Sequence, residues 1–361
     1  MKARFAGARA RQGLLVAMAA VLVSPASAMA AEGEAPSTSD EGTLAFSETA
    51  AAEAPEGVLD ARALPKGTVR LAYRYSRSWL ANVYDHHHSL DLATAAAQQT
   101  PAFQAVPAKR TLQEHLVSVA YAPWSRLTLV ARLPIYLSEQ HTDLAAGGSF
   151  RNRTEGVGDL EVVALVPFMR KGNESLLFEL GFRAPTGKID EMGTVAGAGG
   201  SQRGRLGYPL QPGEGSWALL PGFTYKGHWQ SVSWGVQYRG VYWLNENTKG
   251  YRPGTRHQVS TWMAFSPVSW LSASGRFLWT RSGNIHGSDP AIGTFPYADP
   301  SQDPMRQRRQ QLAVGPGINL KLPVPGGPRL GFEALFPIWR EIDGPQLAQS
   351  WGLHAGIKLD Y

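Results

Sequence analysis

The chain has 361 residues, no cysteine and a formal charge of +6 at pH 7. The absence of cysteine fits an envelope protein that needs no disulfide. Basic residues are spread singly, apart from one tight cluster at Arg306, Arg308 and Arg309, and this spacing argues against a nucleic-acid-binding protein.

The N-terminus has the pattern of a secretory signal peptide. Four basic residues precede the apolar run 14–23, which is followed by Pro25 and by two alternative small-residue cleavage sites, Ala26-Ser27-Ala28 or Ala28-Met29-Ala30. The run is too short for a spanning helix, and no other apolar stretch reaches the roughly 18 residues that such a helix needs. We therefore predict that residues 1–30 are a cleaved signal peptide and that the mature protein has no transmembrane helix.

The next segment is acidic. Residues 31–60 contain eight Asp and Glu and no Lys or Arg, with small residues and proline between them. This composition predicts a disordered periplasmic extension over 31–66, which could still partly plug the periplasmic mouth, attracted by the basic lumen. Residues 61–361 have the opposite balance, with 31 Lys and Arg against 21 Asp and Glu.

From residue 67 onward, apolar and polar residues alternate in segments of about ten residues, which is typical of strands with lipid on one face. The fold class predicted for 67–361 is an all-β transmembrane antiparallel up-and-down β-barrel of about twelve strands. The predicted strands are 67–76, 111–122, 126–136, 157–168, 175–185, 216–226, 231–243, 257–266, 269–281, 310–322, 329–340 and 348–361.

The links between these segments support the barrel, because outer-membrane barrels have short periplasmic turns and longer extracellular loops. Short links, such as 170–173 and 266–268, alternate with long ones, such as 186–215 and 282–309. Aromatic residues near strand ends predict two girdles at the membrane interfaces. The predicted girdle residues are Trp124, Trp229, Trp270 and Tyr361 on the periplasmic side and Tyr75, Tyr136, Tyr242 and Trp339 on the outer side.

The polar face of the strands predicts the lumen and therefore the candidate transport pathway. Its charges either line a hydrated channel or pair across the lumen as braces, and the surplus of arginine favours anionic or aromatic solutes. The predicted lumen-lining residues are Arg70, Arg74, Glu114, Arg126, Arg132, Asp159, Glu161, Glu179, Arg183, Arg239, Arg276, Lys321, Arg329, Glu333, His354 and Lys358.

Three segments resemble a known family. Glu155-Gly-Val-Gly-Asp-Leu160, the Ala-Pro-Thr-Gly-Lys run at 184–188 and Leu210-Gln-Pro-Gly-Glu-Gly-Ser216 are similar to motifs of the outer-membrane family named for the MetA pathway of phenol degradation. The resemblance covers about residues 120–361. It implies passive transport of small compounds, aromatic ones among them, and carries over no catalytic residues.

Two histidine features are candidates for a metal site and for a catalytic base. Adjacent histidines at 86–88 can chelate a metal ion, but no spaced third and fourth ligands accompany them, so a polar loop tip is the preferred reading. His115, on a lipid-facing position, is the nearest candidate base for a lipid-modifying enzyme. We predict no catalytic residue, metal or cofactor.

The chain ends in a strictly alternating strand, 351–361, whose last residue is Tyr361. It resembles the C-terminal signal that bacterial outer-membrane barrels present to the barrel-assembly machinery. The sequence therefore predicts a channel or facilitator for small solutes in the outer membrane of a Gram-negative bacterium, in contact with lipid and not with nucleic acid. A lipid-modifying barrel enzyme and a surface receptor or structural barrel are the alternatives.

Overall fold

The computed structural model describes residues 50–197, 200–324 and 327–361. Within these ranges antiparallel β-structure dominates. No helix there is long and apolar enough to cross a membrane. The strands are β1 (Val69–His86), β2 (His88–Leu90), β3 (Ala105–Trp124), β4 (Leu127–Leu144), β5 (Ser149–Val157), β6 (Leu160–Lys171), β7 (Glu174–Ala184), β8 (Met192–Gly197), β9 (Gly200–Arg205), β10 (Ala218–Trp229), β11 (Val232–Trp243), β12 (Tyr251–Arg252), β13 (Arg256–Val268), β14 (Leu271–Ser282), β15 (His286–Gly287), β16 (Arg309–Lys321) and β17 (Arg329–Asp360), and the α-helix α1 is Leu92–Ala96.

Eleven of the strands in the described ranges form one closed antiparallel ring. Their order is β1, β3, β4, β6, β7, β10, β11, β13, β14, β16 and β17, and β17 pairs back to β1. β17 has 32 residues; its residues 329–342 pair with β16 and its residues 342–360 pair with β1. It therefore fills two positions of opposite direction, and the predicted antiparallel barrel of about twelve strands is confirmed.

β1 and β17 close the ring by pairing with each other, and hydrogen bonds between Val69 and Tyr361 mark one end of the barrel. The N–H of Val69 donates to the carbonyl of Tyr361 at 2.9 Å, and the N–H of Tyr361 donates to the carbonyl of Val69 at 2.8 Å. Two-residue turns lie at this end, between β3 and β4, β6 and β7, β10 and β11, and β13 and β14, whereas long links such as 185–217 lie at the other. Short turns identify the periplasmic end of such a barrel.

Several strands are longer than their sequence pattern. β1, β3 and β4 continue past the predicted ends at 76, 111 and 136, and β5, predicted as loop, pairs with the outer half of β4. Past the lipid, both faces of a strand meet water or polar protein, so the hydrogen-bond ladder continues while the apolar alternation is lost. Two small hairpins, β8 with β9 and β12 with β15, lie in the outer links.

The two faces of the ring differ as the alternation predicted. On β3, Val117, Val119 and Tyr121 point outward and are 45–47% exposed, whereas Ala120 and Ala122 point inward and are at most 5% exposed. Large apolar residues on the outside and buried polar residues on the inside are the arrangement of a transmembrane barrel. Trp124, Trp229, Trp270 and Tyr361, at the periplasmic end, are all exposed.

Residues 50–66, here called the inner segment, run inside the barrel. The N–H of Ala51 donates to Ser266 Oγ on β13 at 3.1 Å, Ser233 Oγ on β11 donates to the Ala51 carbonyl at 2.9 Å, and the Leu64 N–H donates to Thr128 Oγ1 on β4 at 3.0 Å. Partners on strands from different sides of the ring enclose the segment within the lumen.

This course differs from the disordered extension predicted over 31–66. Residues 31–49 lie outside the described residues, but residues 50–66 are largely buried. The alanines of residues 50–66 and Gly57 are small enough for a narrow lumen, and Glu53, Glu56 and Asp60 pair with cations of the wall. A segment with too little apolar surface to fold alone is ordered by charges on the barrel wall.

Candidate functional site

Arg132 is the centre of an ion-pair cluster in the middle of the lumen. Its side chain is fully buried, and it donates to Asp60 of the inner segment at 2.6 Å and to Glu161 at 3.1 Å. Glu179 accepts from Arg132 at 3.3 Å and from Arg239 at 3.2 Å. Burial alone would raise the pKa of Asp60, but the charge of Arg132 outweighs it and holds that pKa below its usual range. The cluster therefore ties the inner segment to four strands.

A second contact group joins Arg276, Glu333 and Gly57. Both charged side chains are at most 2% exposed, and Arg276 Nε donates to Glu333 Oε1 at 2.8 Å. The Gly57 N–H donates to the other oxygen of Glu333 at 3.0 Å. A Cβ on Gly57 would collide with the guanidinium of Arg276, so glycine lets the inner segment approach this buried ion pair without displacing it.

The third contact group surrounds Glu53, nearer the periplasmic end. Arg70 donates to Glu53 at 3.2 Å and to Asp360 at 2.7 Å, and Lys358 Nζ lies 3.8 Å from Glu53 and 3.3 Å from Glu56. Burial opposes ionisation of Glu53, yet the surrounding cations, Arg70 foremost, hold its pKa well below the usual range. Glu53 therefore stays ionised at neutral pH and acts as a fixed tether of the inner segment.

On the outer side of these contacts lies a cavity of about 530 Å³, here called the outer cavity. Pro134, Tyr136 and Tyr208 contribute ring surface to its wall, and burial raises the pKa of Tyr208 to about 12, so this phenol stays protonated. The charged residues in its wall are Arg110, Arg183, Arg239, Arg256, Arg281 and Arg309, against Asp159, Glu161 and Glu214. Arg281 has the outward parity of Phe277 on β14, so the five inward cations against three carboxylates leave a formal excess of +2.

A second cavity of about 400 Å³, the inner cavity, lies between the inner segment and the periplasmic half of the wall. Trp234 and Trp262 line it together with alanines of the inner segment. Its charged residues are Arg62, Arg170 and Lys226, against Glu174. Both cavities therefore carry more cations than carboxylates, and no residue of the inner segment lines the outer one.

The three segments that carry the family resemblance meet at the outer cavity. Asp159 accepts the N–H of Gly187 and the N–H of Glu214, each at 2.9 Å. A Cβ on Gly187 would lie 2.6 Å from the Gly213 Cα, so the two backbones pack without side chains between them. Glu214 in turn pairs with Arg256. The motifs therefore fix the link 185–217 against the wall of the cavity.

Most of the predicted lumen residues contact other lumen residues or the inner segment. Arg183 donates to Glu161, Arg74 to Glu114 at 3.4 Å, and His354 lies 2.9 Å from Ser76 Oγ. Arg329 lies 3.9 Å from Glu53. The bracing alternative of the sequence analysis therefore describes these residues well: their charges are largely compensated.

The structure places three of the predicted residues outside the central lumen or the predicted girdle. Arg126 lies in the exposed turn between β3 and β4 rather than in the lumen. Tyr136 lines the outer cavity instead of an aromatic girdle, because it has the same parity as the inward-facing Arg132 on β4. Lys321 is the last residue of β16, beside the periplasmic link 322–328.

The histidines have ordinary partners. His115 Nδ1 lies 2.7 Å from the Tyr73 hydroxyl, and its ring contacts that of Tyr75. His86 pairs with Asp85, and His87 bonds to the Arg340 carbonyl. In the described ranges no group of three or more His, Cys, Asp or Glu side chains could hold a metal ion.

Sequence reasoning missed Arg110, Arg256 and Arg309, which line the outer cavity. It placed all three in links, because the alternation weakens where the strands leave the bilayer. It also missed Glu53 and Asp60 as lumen residues. Their signal was present as the opposite charge balance of residues 31–60 and the barrel, but composition alone does not give the register between them.

No family model and no curated protein matches the chain. Among solved structures, the COG4313 outer membrane channel from Pseudomonas putida F1 is similar, with a TM-score of 0.59 and 15% identity over 84% of this chain and 99% of that one. The beta domain of the Bordetella autotransporter BrkA has a TM-score of 0.43 at 12% identity, over 82% and 100% of the two chains. The toluene transporter TodX of P. putida has 0.42 at 10%, over 82% and 90%. The similarity to the P. putida F1 channel shows a shared outer-membrane barrel fold. The other two TM-scores are below 0.5 and too low to show a shared fold.

Proposed function

We propose that this chain is a passive outer-membrane channel for small solutes, with a preference for anionic and aromatic compounds, and that it is not an enzyme. The observation that carries the proposal is the pair of cavities within one closed barrel, each lined by an excess of cations. Such a lining concentrates anions and repels cations. Aromatic surface in both cavities suits ring-containing solutes.

We further propose the route by which the protein reaches the membrane. Residues 1–30, which lie outside the described residues, act as a cleaved signal peptide, and the strand ending at Tyr361 engages the barrel-assembly machinery. The meeting of the three motif segments at Asp159 supports membership of the family named for the MetA pathway. The similar barrel from P. putida F1 is described as an outer membrane channel, and we extend that role to this chain as part of the proposal.

A receptor or structural barrel is the second candidate. It is favoured by the inner segment, which crosses the lumen and is held by the Arg132, Arg276 and Glu53 contacts. A permanently closed lumen would leave only the outer loops for function. The two candidates differ in whether solute crosses the barrel.

Conductance across planar bilayers separates these candidates. Reconstituted full-length protein is expected to give small, reproducible conductance steps, and a variant lacking residues 50–64 is expected to give larger ones. Heat-modifiable migration on gels verifies that both are folded. Folded protein without conductance in either form would overturn the channel and favour the receptor.

A further inference from the structure

Two inward-facing arginines of the outer cavity lack the carboxylate partner that the other inward-facing arginines have. Arg183, Arg239 and Arg256 each form an ion pair, whereas no carboxylate in the described ranges lies within ion-pair distance of Arg110 or Arg309. We propose that Arg110 and Arg309 form a binding site for the carboxylate of a small aromatic acid. The proposal names a solute class for the channel and in that respect rests on the proposed function.

The two side chains are far apart in the sequence, but both lie in the wall of the outer cavity. Arg110 lies at the outer end of β3 and Arg309 at the start of β16, and both line the outer cavity. They also share the wall of a small adjoining cavity, and each guanidinium is close enough to a like charge to be repelled by it, Arg110 by Arg309 and Arg309 by Arg256. Like charges held together inside a protein call for an anion between them.

The hydrogen bonds that these arginines do make leave room for such an anion. Arg110 Nη1 donates to the carbonyl of Pro209 at 3.2 Å, and Arg309 Nη2 donates to the side-chain oxygen of Gln346. Both acceptors are neutral. Arg110 Nε is buried and has no hydrogen-bond partner, and a carboxylate on the edge formed by Nε and Nη2, whose geometry matches its two oxygens, would supply the missing acceptor.

The cavity supplies the second half of the recognition. Its volume of about 530 Å³ is in the range of small-molecule sites. Leu112, Pro134 and Tyr136 of the wall offer apolar and ring surface for an aromatic group. An aromatic carboxylate would satisfy the arginines with one end and contact this surface with the other, whereas a halide would use only the charge.

The test is calorimetric titration of folded, detergent-solubilised full-length protein with benzoate, with benzamide as a neutral probe of the same shape. We expect benzoate to bind and benzamide to bind at least about tenfold more weakly. Arg110→Gln and Arg309→Gln should each weaken benzoate binding by roughly tenfold to a hundredfold. Both should fold, because each relieves a like-charge repulsion.

The matched control is Arg281→Gln, which removes one positive charge beside the same cavity, from an exposed side chain that has the outward parity of Phe277 on β14 and forms no ion pair with the described carboxylates. Benzoate affinity within about twofold of wild type in this variant supports a specific site. An equal loss in all three variants, or equal binding of benzoate and benzamide, overturns the proposal. Arg110→Lys, which keeps the charge but not the two-pronged edge, should lose most of the affinity.

The two measurements distinguish failure of the proposed binding site from failure of the proposed channel. Protein that conducts but binds benzoate equally in wild type and Arg110→Gln disproves the site and leaves the channel standing. Protein that binds benzoate through these arginines but never conducts disproves the channel and leaves the site as that of a receptor.

Discussion

Arg132 joins the barrel wall to the inner segment through one buried guanidinium, which contacts Asp60, Glu161 and Glu179. Replacement by methionine would leave these carboxylates short of one cation in a place with little water. We expect Arg132→Met to lower the free energy of unfolding by about 3 to 5 kcal/mol, the usual cost of removing one partner from a buried ion pair. Tryptophan fluorescence during urea unfolding in lipid or detergent measures the change.

Arg153→Gln is the control for this effect. Arg153 pairs with Glu155 at 3.3 Å, but both side chains are about two-thirds exposed, so solvent screens the pair. The expected change is at most about 1 kcal/mol. Equal destabilisation by both substitutions would show that burial does not set the energetics of the Arg132 cluster.

Glu53 gives a pH dependence to the inner segment. Its pKa in the folded protein lies well below the ordinary value of 4.5, so its ionised form stabilises the folded arrangement. That contribution is complete above about pH 4.5 and is lost as the pH falls through the folded value. We expect conductance to rise on acidification below pH 4.5, as the tether to Arg70 and Lys358 weakens.

Glu53→Gln tests this assignment in bilayer recordings across the same pH range. The variant lacks the charge at every pH, so its conductance at neutral pH should exceed that of wild type and its rise on acidification should be smaller. The remaining rise is expected from Asp60, whose pKa is also lowered. Superimposable pH profiles of the two proteins would rule out Glu53 as the tether.

At the scale of the elements, the sequence predicted the strands and the faces that contact with lipid requires. Where a strand crosses the bilayer, the alternation of Val117, Val119 and Tyr121 with Ala120 and Ala122 gives both the strand and its faces. The same reasoning did not predict β5, because a strand with polar surroundings on both faces has no periodic signal. It also did not predict the order of residues 50–66, because that segment is held by pairing with charges more than 200 residues away in sequence, such as Glu333 for Gly57.

The inner segment is an element that the barrel should survive without. The ring closes through hydrogen bonds between β1 and β17 and between Val69 and Tyr361, none of which uses residues 50–64. We expect the variant lacking residues 50–64 to fold, to unfold at a lower temperature and to conduct more than wild type. Gel migration before and after heating, thermal unfolding and single-channel recordings measure the three effects.

Unfolding at the wild-type temperature and unchanged conductance in this deletion variant would show that the inner segment does not occupy the pathway. A variant carrying both Glu53→Gln and Glu56→Gln keeps the length of the chain and serves as the comparison. It should lie between wild type and the deletion, because the segment remains but two of its charged contacts are lost.

A charged side chain on the outward face of the strands should destabilise the folded barrel. Leu129 on β4 is 42% exposed on that face, where lipid would surround it. Arginine there is expected to cost about 2 to 4 kcal/mol of folding free energy near the bilayer midplane. Gln258 lines the outer cavity, so Gln258→Arg should cost far less. Urea unfolding in lipid vesicles compares the two, and a larger loss from Gln258→Arg would mean that the faces are reversed.

At the scale of the whole molecule, the charge balance was predictable and its distribution was not. The excess of Lys and Arg over residues 61–361 follows from counting. Which arginines remain uncompensated depends on three-dimensional pairing: Arg132 and Arg239 are braced by carboxylates, whereas Arg110 and Arg309 are not. Sequence alternation assigns a side chain to the lumen but cannot give its partner on another strand.

The uncompensated cations determine the expected ion selectivity of the channel. A cavity wall with a formal excess of +2 holds a positive potential, which raises the local concentration of anions and is screened as ionic strength rises. We expect reversal potentials under a salt gradient to show anion preference at low salt, declining toward none at high salt. Arg309→Glu should shift the preference toward cations, because this cavity residue has no ion pair among the described residues to break. Arg153→Glu makes the same charge change on the outward face of β5 and should leave selectivity unaltered. Cation preference in the wild type, or equal shifts in the two variants, would exclude the outer cavity as the source of selectivity.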